Sequence, residues 1–281
     1  MALSGSGPGS GRRAPVALWA ALRTEVAWVM QTTVPRLAIC PQTNRTQAGV
    51  VPTTTASRRP RPALADLGPV AQLRAGRLGR RLPQLAVGLV LYGVSLAMMV
   101  RGDLGLAPWD VLHSGLAGLV PLTLGQVIVA VSFLLLLAWV PLREVPGLAT
   151  VANAVVVGLS ADATLALLEA PQGWAARAAL MVGGVLLCGF ASALYIGAQL
   201  GRGPRDGLMT GLSRRTGLSL RLVRTGLEVS VVLLGLALGG VLGLGTVLYA
   251  LAIGPLTQAM LPSLTVDLRL DPARGPAAGG S

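Results

Sequence analysis

Leu104-Gly105-Leu106-Ala107-Pro108-Trp109-Asp110-Val111-Leu112 decides how this chain is read, because the stretch returns 96 positions later as Leu200-Gly201-Arg202-Gly203-Pro204-Arg205-Asp206-Gly207-Leu208. Leu and Gly matches mean little in a chain this rich in both. The Pro and Asp matches carry weight, because Asp is scarce. At the same offset Gly115-Leu116 faces Gly211-Leu212, Gly147-Leu148-Ala149-Thr150-Val151 faces Gly243-Leu244-Gly245-Thr246-Val247, and Gly158 faces Gly254. One unit has been duplicated, and that duplication precedes any reading of the fold.

Working outward, the motif stands at the end of a long apolar segment in both copies. Mean hydropathy is +0.67, with 53% apolar and 12% charged residues. The apolar residues come in stretches of about twenty, the length that crosses a bilayer core as a helix. Six segments are expected to span: 82–100, 122–142, 147–168, 178–200, 225–241 and 244–261. The sequence therefore reads as an all-α polytopic membrane protein. Small residues such as Gly183, Gly184, Gly189, Ala191 and Ser192 let helix backbones approach closely.

The net charge of +12 comes from Arg alone, since the sequence contains no Lys. Its Arg residues cluster between apolar segments and before the first one, which points to topology and away from nucleic acid. Arg74, Arg77, Arg80 and Arg81 precede the first span, and six Arg residues lie in 201–224. This distribution places both termini in the cytoplasm of a bacterial cell, with the chain in the inner membrane. Three spans per unit is an odd number, so the two copies are expected to be inverted, a plan recurrent in secondary transporters. The domain reading is a disordered, Arg-rich extension (1–81), two membrane repeats (82–170 and 171–264) and a flexible cytoplasmic tail (265–281). Within the extension, 14–30 has the spacing of a short amphipathic helix.

Each motif reads as break, restart and cap. Gly105 and Gly201 release the preceding helix, Pro108 and Pro204 suit a first helical turn, and Asp110 and Asp206 suit its positive end. The restarted pieces are too short to span. They are either connectors at the membrane surface or re-entrant half-helices whose ends hold a polar or ionic solute. Arg205 replaces Trp109 at equivalent positions. Within the spans, Asp162 (partner Gln258), Asn153 (partner Tyr249) and Glu228 (partner Ser132) add polar groups that normally face a bundle interior or a wet cavity. Glu228 also has Arg224 one turn away.

No catalytic constellation, phosphate-binding loop or cluster of metal ligands is legible, and Cys40 and Cys188 make no disulfide framework. The expectation is therefore no enzyme, no cofactor and no metal.

The pattern LYGVSLAMMVRGDLGLAPWDVLHSGL (91–116), then VPGLATVANAVVVGLSAD (145–162) and ALYIGAQLGRGPRDGLMTGLSRRTG (193–217), resembles the YczE/YitT-type bacterial integral membrane proteins. The similarity runs over about 84–262 and is strongest at the Gly-x-x-Pro-x-Asp motifs and at Arg224–Glu228. It implies a membrane location and this architecture, and assigns no substrate and no site residues.

From the residues, the leading expectation is a permease for a small solute or ion working by alternating access. Gly105, Pro108, Asp110, Gly201, Pro204, Arg205, Asp206, Asn153 and Glu228 would shape its site, with Asp162 as a coupling carboxylate. The alternative is a non-transporting scaffold or accessory protein for another membrane or secretion system. Expected partners are the lipid bilayer, the solute, and a second copy or another membrane protein. Convergence of Asp110, Asp162 and Asp206 on one cavity is the structural expectation that the permease reading makes.

Overall fold

The computed structural model describes residues 68–268. The 14–30 stretch, most of the N-terminal extension and the tail beyond 268 lie outside them. Among the described residues there are nine helices and no strand: α1 (Pro69–Arg74), α2 (Leu78–Gly102), α3 (Pro108–Ala117), α4 (Leu124–Leu142), α5 (Leu148–Leu167), α6 (Trp174–Gly197), α7 (Pro204–Thr216), α8 (Leu220–Ala237) and α9 (Leu244–Leu264).

The duplication is carried into the elements. Helices α2 to α5 begin at 78, 108, 124 and 148, and α6 to α9 at 174, 204, 220 and 244, each 96 residues further on. Local chemistry explains the shared boundaries. Thr123 caps α4 by accepting from the Gln126 amide at 3.2 Å, while Gln126 Oε1 accepts from the Thr123 amide at 3.0 Å, a reciprocal capping box. Its counterpart Ser219 caps α8 by accepting from the Leu222 amide. Thr150 and Thr246 reach back to the amides of Gly147 and Gly243 at the starts of α5 and α9. Helices α2 and α6 stop at the counterparts Asp103 (φ 51) and Gln199 (φ 54), then turn through Gly105 (φ 119) and Gly201 (φ 135).

Helices α2 and α6 run antiparallel along one another. Gly88 of α2 meets the backbone of Ala191 and Tyr195, and Gly184 of α6 meets Ser95 and Met99. On the opposite flanks the counterparts Gly93 and Gly189 admit the counterparts Ser160 of α5 and Leu256 of α9. Close approach through small residues is how helices associate where no hydrophobic effect separates helix from lipid.

The short helices exchange partners between units, α3 packing on α8 and α7 on α4. Gly207 lies against the Trp139 ring, and the counterpart pair is Val111 against Gly235. The Ala149 amide donates to Leu200 O at 2.9 Å, and its counterpart Gly245 donates to Leu104 O at 2.7 Å. In both cases i meets j while the residue 96 positions from i meets the residue 96 positions from j, so the pairing of helices repeats along with the sequence.

Three sequence expectations are modified. Five helices among the described residues, α2, α4, α5, α6 and α9, are long and apolar enough to cross a membrane, against six expected. Helix α8 falls short because its first half carries Arg221, Arg224 and Glu228. Residues 68–81, assigned by sequence to the disordered extension, are largely helical, and Arg81 is fully buried. Its guanidinium donates to Ala198 O (2.8 Å), Gln199 O (2.6 Å) and Gln72 O (2.6 Å), filling the acceptors left open where α6 ends. On the far side, Val266 at the start of the tail donates to Gly197 O at 3.0 Å and accepts from Gln199 Nε2 at 2.7 Å.

Candidate functional site

A cavity of about 290 Å³ lies where the two units meet, with walls from α2, α3, α5 and α6 to α9. Its floor is built by the duplicated motif. Proline at the first position of α3 and of α7 starts each helix at the cavity, so Pro108 and Trp109 from one unit face Pro204, Arg205 and Asp206 from the other. Trp139 fixes the second of these starts by donating from Nε1 to Pro204 O at 3.0 Å.

The counterparts Trp109 and Arg205 touch, with Arg205 Cζ 5.6 Å from the Trp109 ring centroid, a cation–π geometry that orients the guanidinium. Among the described residues Arg205 makes no hydrogen bond, and it lines the cavity next to Asp206. Trp109 is 5% exposed, and its indole N–H likewise has no partner among the described residues. Asp206 accepts from the Tyr195 hydroxyl at 3.1 Å. Tyr195 stands edge-on to Tyr92, with ring centroids 6.1 Å apart. Tyr249, Asn153 and Gln258 complete the polar wall, and Glu228 is paired with Arg224 at 2.9 Å.

Of the residues singled out by sequence, Pro108, Asn153, Pro204, Arg205, Asp206 and Glu228 line this cavity. Gly105 and Gly201 lie behind it, pressed against Gly243–Thr246 and Gly147–Thr150 of the opposite unit. Neither motif Asp supplies the expected cap hydrogen bond. Asp110 is 3% exposed and turns to His113 Nδ1 at 3.0 Å. Asp162 is outside the cavity altogether. It accepts from the Gly125 amide at 2.7 Å and from the Thr123 hydroxyl, fastening the start of α4 to the end of α5. The three carboxylates therefore do not converge; Asp206 alone lines the cavity.

Tyr92 and Tyr195 were not legible as site residues. One signal was available: the chain has only three tyrosines, and all three line the cavity. A polar-tipped aromatic in a span needs a partner or water for its hydroxyl.

Known proteins similar to this chain carry no named activity. Residues 79–262 match the model of a family of unknown function, DUF6198. The chain is 41% identical over 177 residues to an uncharacterized protein of Haemophilus influenzae, covering 63% of this chain and 81% of that one. It is 31% identical over 199 residues to the uncharacterized membrane protein YczE of Bacillus subtilis, covering 68% and 90%. No solved structure matches. The chain belongs to the DUF6198 family of YczE-like bacterial multi-pass membrane proteins.

Proposed function

We propose that the protein is a permease that moves a small solute by alternating access between two inverted repeats. In this reading α8 is the sixth crossing, its charged half being tolerated because Arg224 and Glu228 face the cavity and each other. The observation that carries the reading is an asymmetry between equivalent helix pairs. Helices α4 and α5 are closed on one another through Gly125 and Gly158, and Asp162 ties them at one end. Their counterparts α8 and α9 have no such packing. There Arg221 replaces Gly125, Gly254 has nothing against it, and the cavity runs between the helices. One unit shut and its twin open is the arrangement expected of one end state of an inverted-repeat carrier. With the N-terminus cytoplasmic, the open side faces inward.

Leu119 and Arg215 are exposed counterparts just past and within the short helices. With Cys40 and Cys188 replaced, Leu119→Cys is expected to react with a membrane-impermeant thiol reagent from outside intact cells. Arg215→Cys is expected to react only in inverted vesicles. Labelling of both from one side would remove the inversion, and the permease reading with it.

A further inference from the structure

We infer that the cavity takes a small organic monocarboxylate, bound through Arg205. This rests on the cavity being the permease's solute site, and it comes from matching donors to acceptors around the wall. Of the two wall carboxylates, Asp206 receives the Tyr195 hydroxyl, and Glu228 receives Arg224. Arg205 has a planar fork of N–H groups that makes no hydrogen bond among the described residues, and it lies over the Trp109 ring at the cavity floor. A guanidinium fork that lines a cavity and meets no acceptor calls for a ligand that brings oxygen atoms and negative charge. An amine or a metal ion would bring no acceptor to that fork.

Charge and shape narrow the class. The lining cations Arg205 and Arg224 are balanced by Asp206 and Glu228, so there is no surplus of positive charge to hold a dianion such as phosphate. One free guanidinium fork matches one planar carboxylate in two parallel hydrogen bonds. The remaining surface, from Ile196, Met209, Ile253 and the two prolines, suits a short carbon skeleton. The volume admits a molecule of a few carbons.

The test uses the full chain in lipid nanodiscs, with calorimetric titration of acetate, butyrate, pyruvate and benzoate against butyramide and butylammonium. The expected result is saturable binding of at least one carboxylate, with its amide or ammonium analogue roughly tenfold or more weaker. Arg205→Gln should weaken that binding by at least about tenfold. Arg205→Lys, which keeps the charge and loses the fork, should fall between the two. Preferred binding of butylammonium, unchanged affinity in both Arg205 variants, or no binding of any of the four acids by folded wild-type protein would overturn the inference. A carboxylate that binds but is not carried into proteoliposomes would leave this site standing and sink the permease. Carriage of butylammonium unaffected by Arg205→Gln would do the reverse.

Discussion

Arg205 Cζ stands 5.6 Å from the centroid of the Trp109 ring, and these two residues occupy the same position in the two copies of the repeat. Equivalent residues of a two-fold pair touch each other only on the axis that relates them. An axis relating two inverted copies would run between the starts of α3 and α7, through the cavity floor. In a symmetric dimer both residues there would be identical, and two arginines would repel across the axis. In this chain one is Trp and the other Arg. The cavity floor thereby carries one guanidinium on an aromatic support, with Asp206 and Glu228 balancing the two lining arginines.

The crossing behind that floor is tight on one side and looser on the other, and it predicts unequal outcomes for two equivalent changes. A Cβ on Gly105 would come within 2.7 Å of the Gly243 amide nitrogen, whereas one on Gly201 would sit 3.2 Å from Gly147 Cα. Both glycines also have φ values closed to other residues. Gly201→Ala should cost about 1–3 kcal/mol from backbone strain. Gly105→Ala should cost more, because backbone must also move. Thermal unfolding of both variants in the same detergent checks the order.

These two glycines also show how far the sequence could be read. The 96-residue offset already located the break, the restart and the Gly-x-x-Thr turns at 147–150 and 243–246. It carried no information about which turn meets which motif, so the exchange between units appeared only in three dimensions. Asp162 and Asp110 were misplaced for a related reason. A carboxylate in an apolar segment announces that it needs a partner, but hydrogen bonds to Gly125 and Thr123 satisfy it as well as a pathway would. Helix α8 was read from Thr225 because its charges interrupt the apolar run; its Ser219 cap was the better guide to its start. Arg81 was read as one of a topological cluster, and nothing local distinguishes it from the exposed Arg77 and Arg80.

Arg81 should behave differently from those neighbours. It is fully buried and supplies donors to the carbonyls of Ala198, Gln199 and Gln72. Arg81→Leu would leave several carbonyls without partners, at about 1–3 kcal/mol each. The expected outcome is loss of folded protein from the membrane fraction. Arg77→Leu and Arg80→Leu, at exposed positions, should leave yield and melting temperature within experimental scatter.

The seat of α7 on α4 makes a size-exchange prediction. Gly207 leaves room for the Trp139 ring, whose N–H holds Pro204 O. Gly207→Val should destabilise by about 1–3 kcal/mol through overpacking. Trp139→Ala alone should cost about 3–5 kcal/mol through the space it empties. The double variant Gly207→Val with Trp139→Ala sets a valine on the short helix against a small residue on its neighbour. That arrangement approximates Val111 against Gly235 in the other unit, so its cost should be smaller than the two singles summed. A double-mutant cycle on melting temperatures measures that coupling.

The last prediction concerns the end at which α4 and α5 are tied. Asp162 holds the Gly125 amide and the Thr123 hydroxyl, and Gly125 and Gly158 bring the two backbones together below them. If the closed pair must part for the cavity to open to the other side, these bonds break in every cycle. In a chain lacking Cys40 and Cys188, Thr123→Cys with Asp162→Cys should cross-link under mild oxidation and stop flux in proteoliposomes, and reductant should restore it. Solute binding from the open side, measured by calorimetry on the cross-linked protein, should persist at about its reduced-state affinity, because the lock lies away from Arg205. Cross-linking that leaves flux intact would mean that this end never opens. Loss of binding together with flux would mean that the bond distorts the site itself.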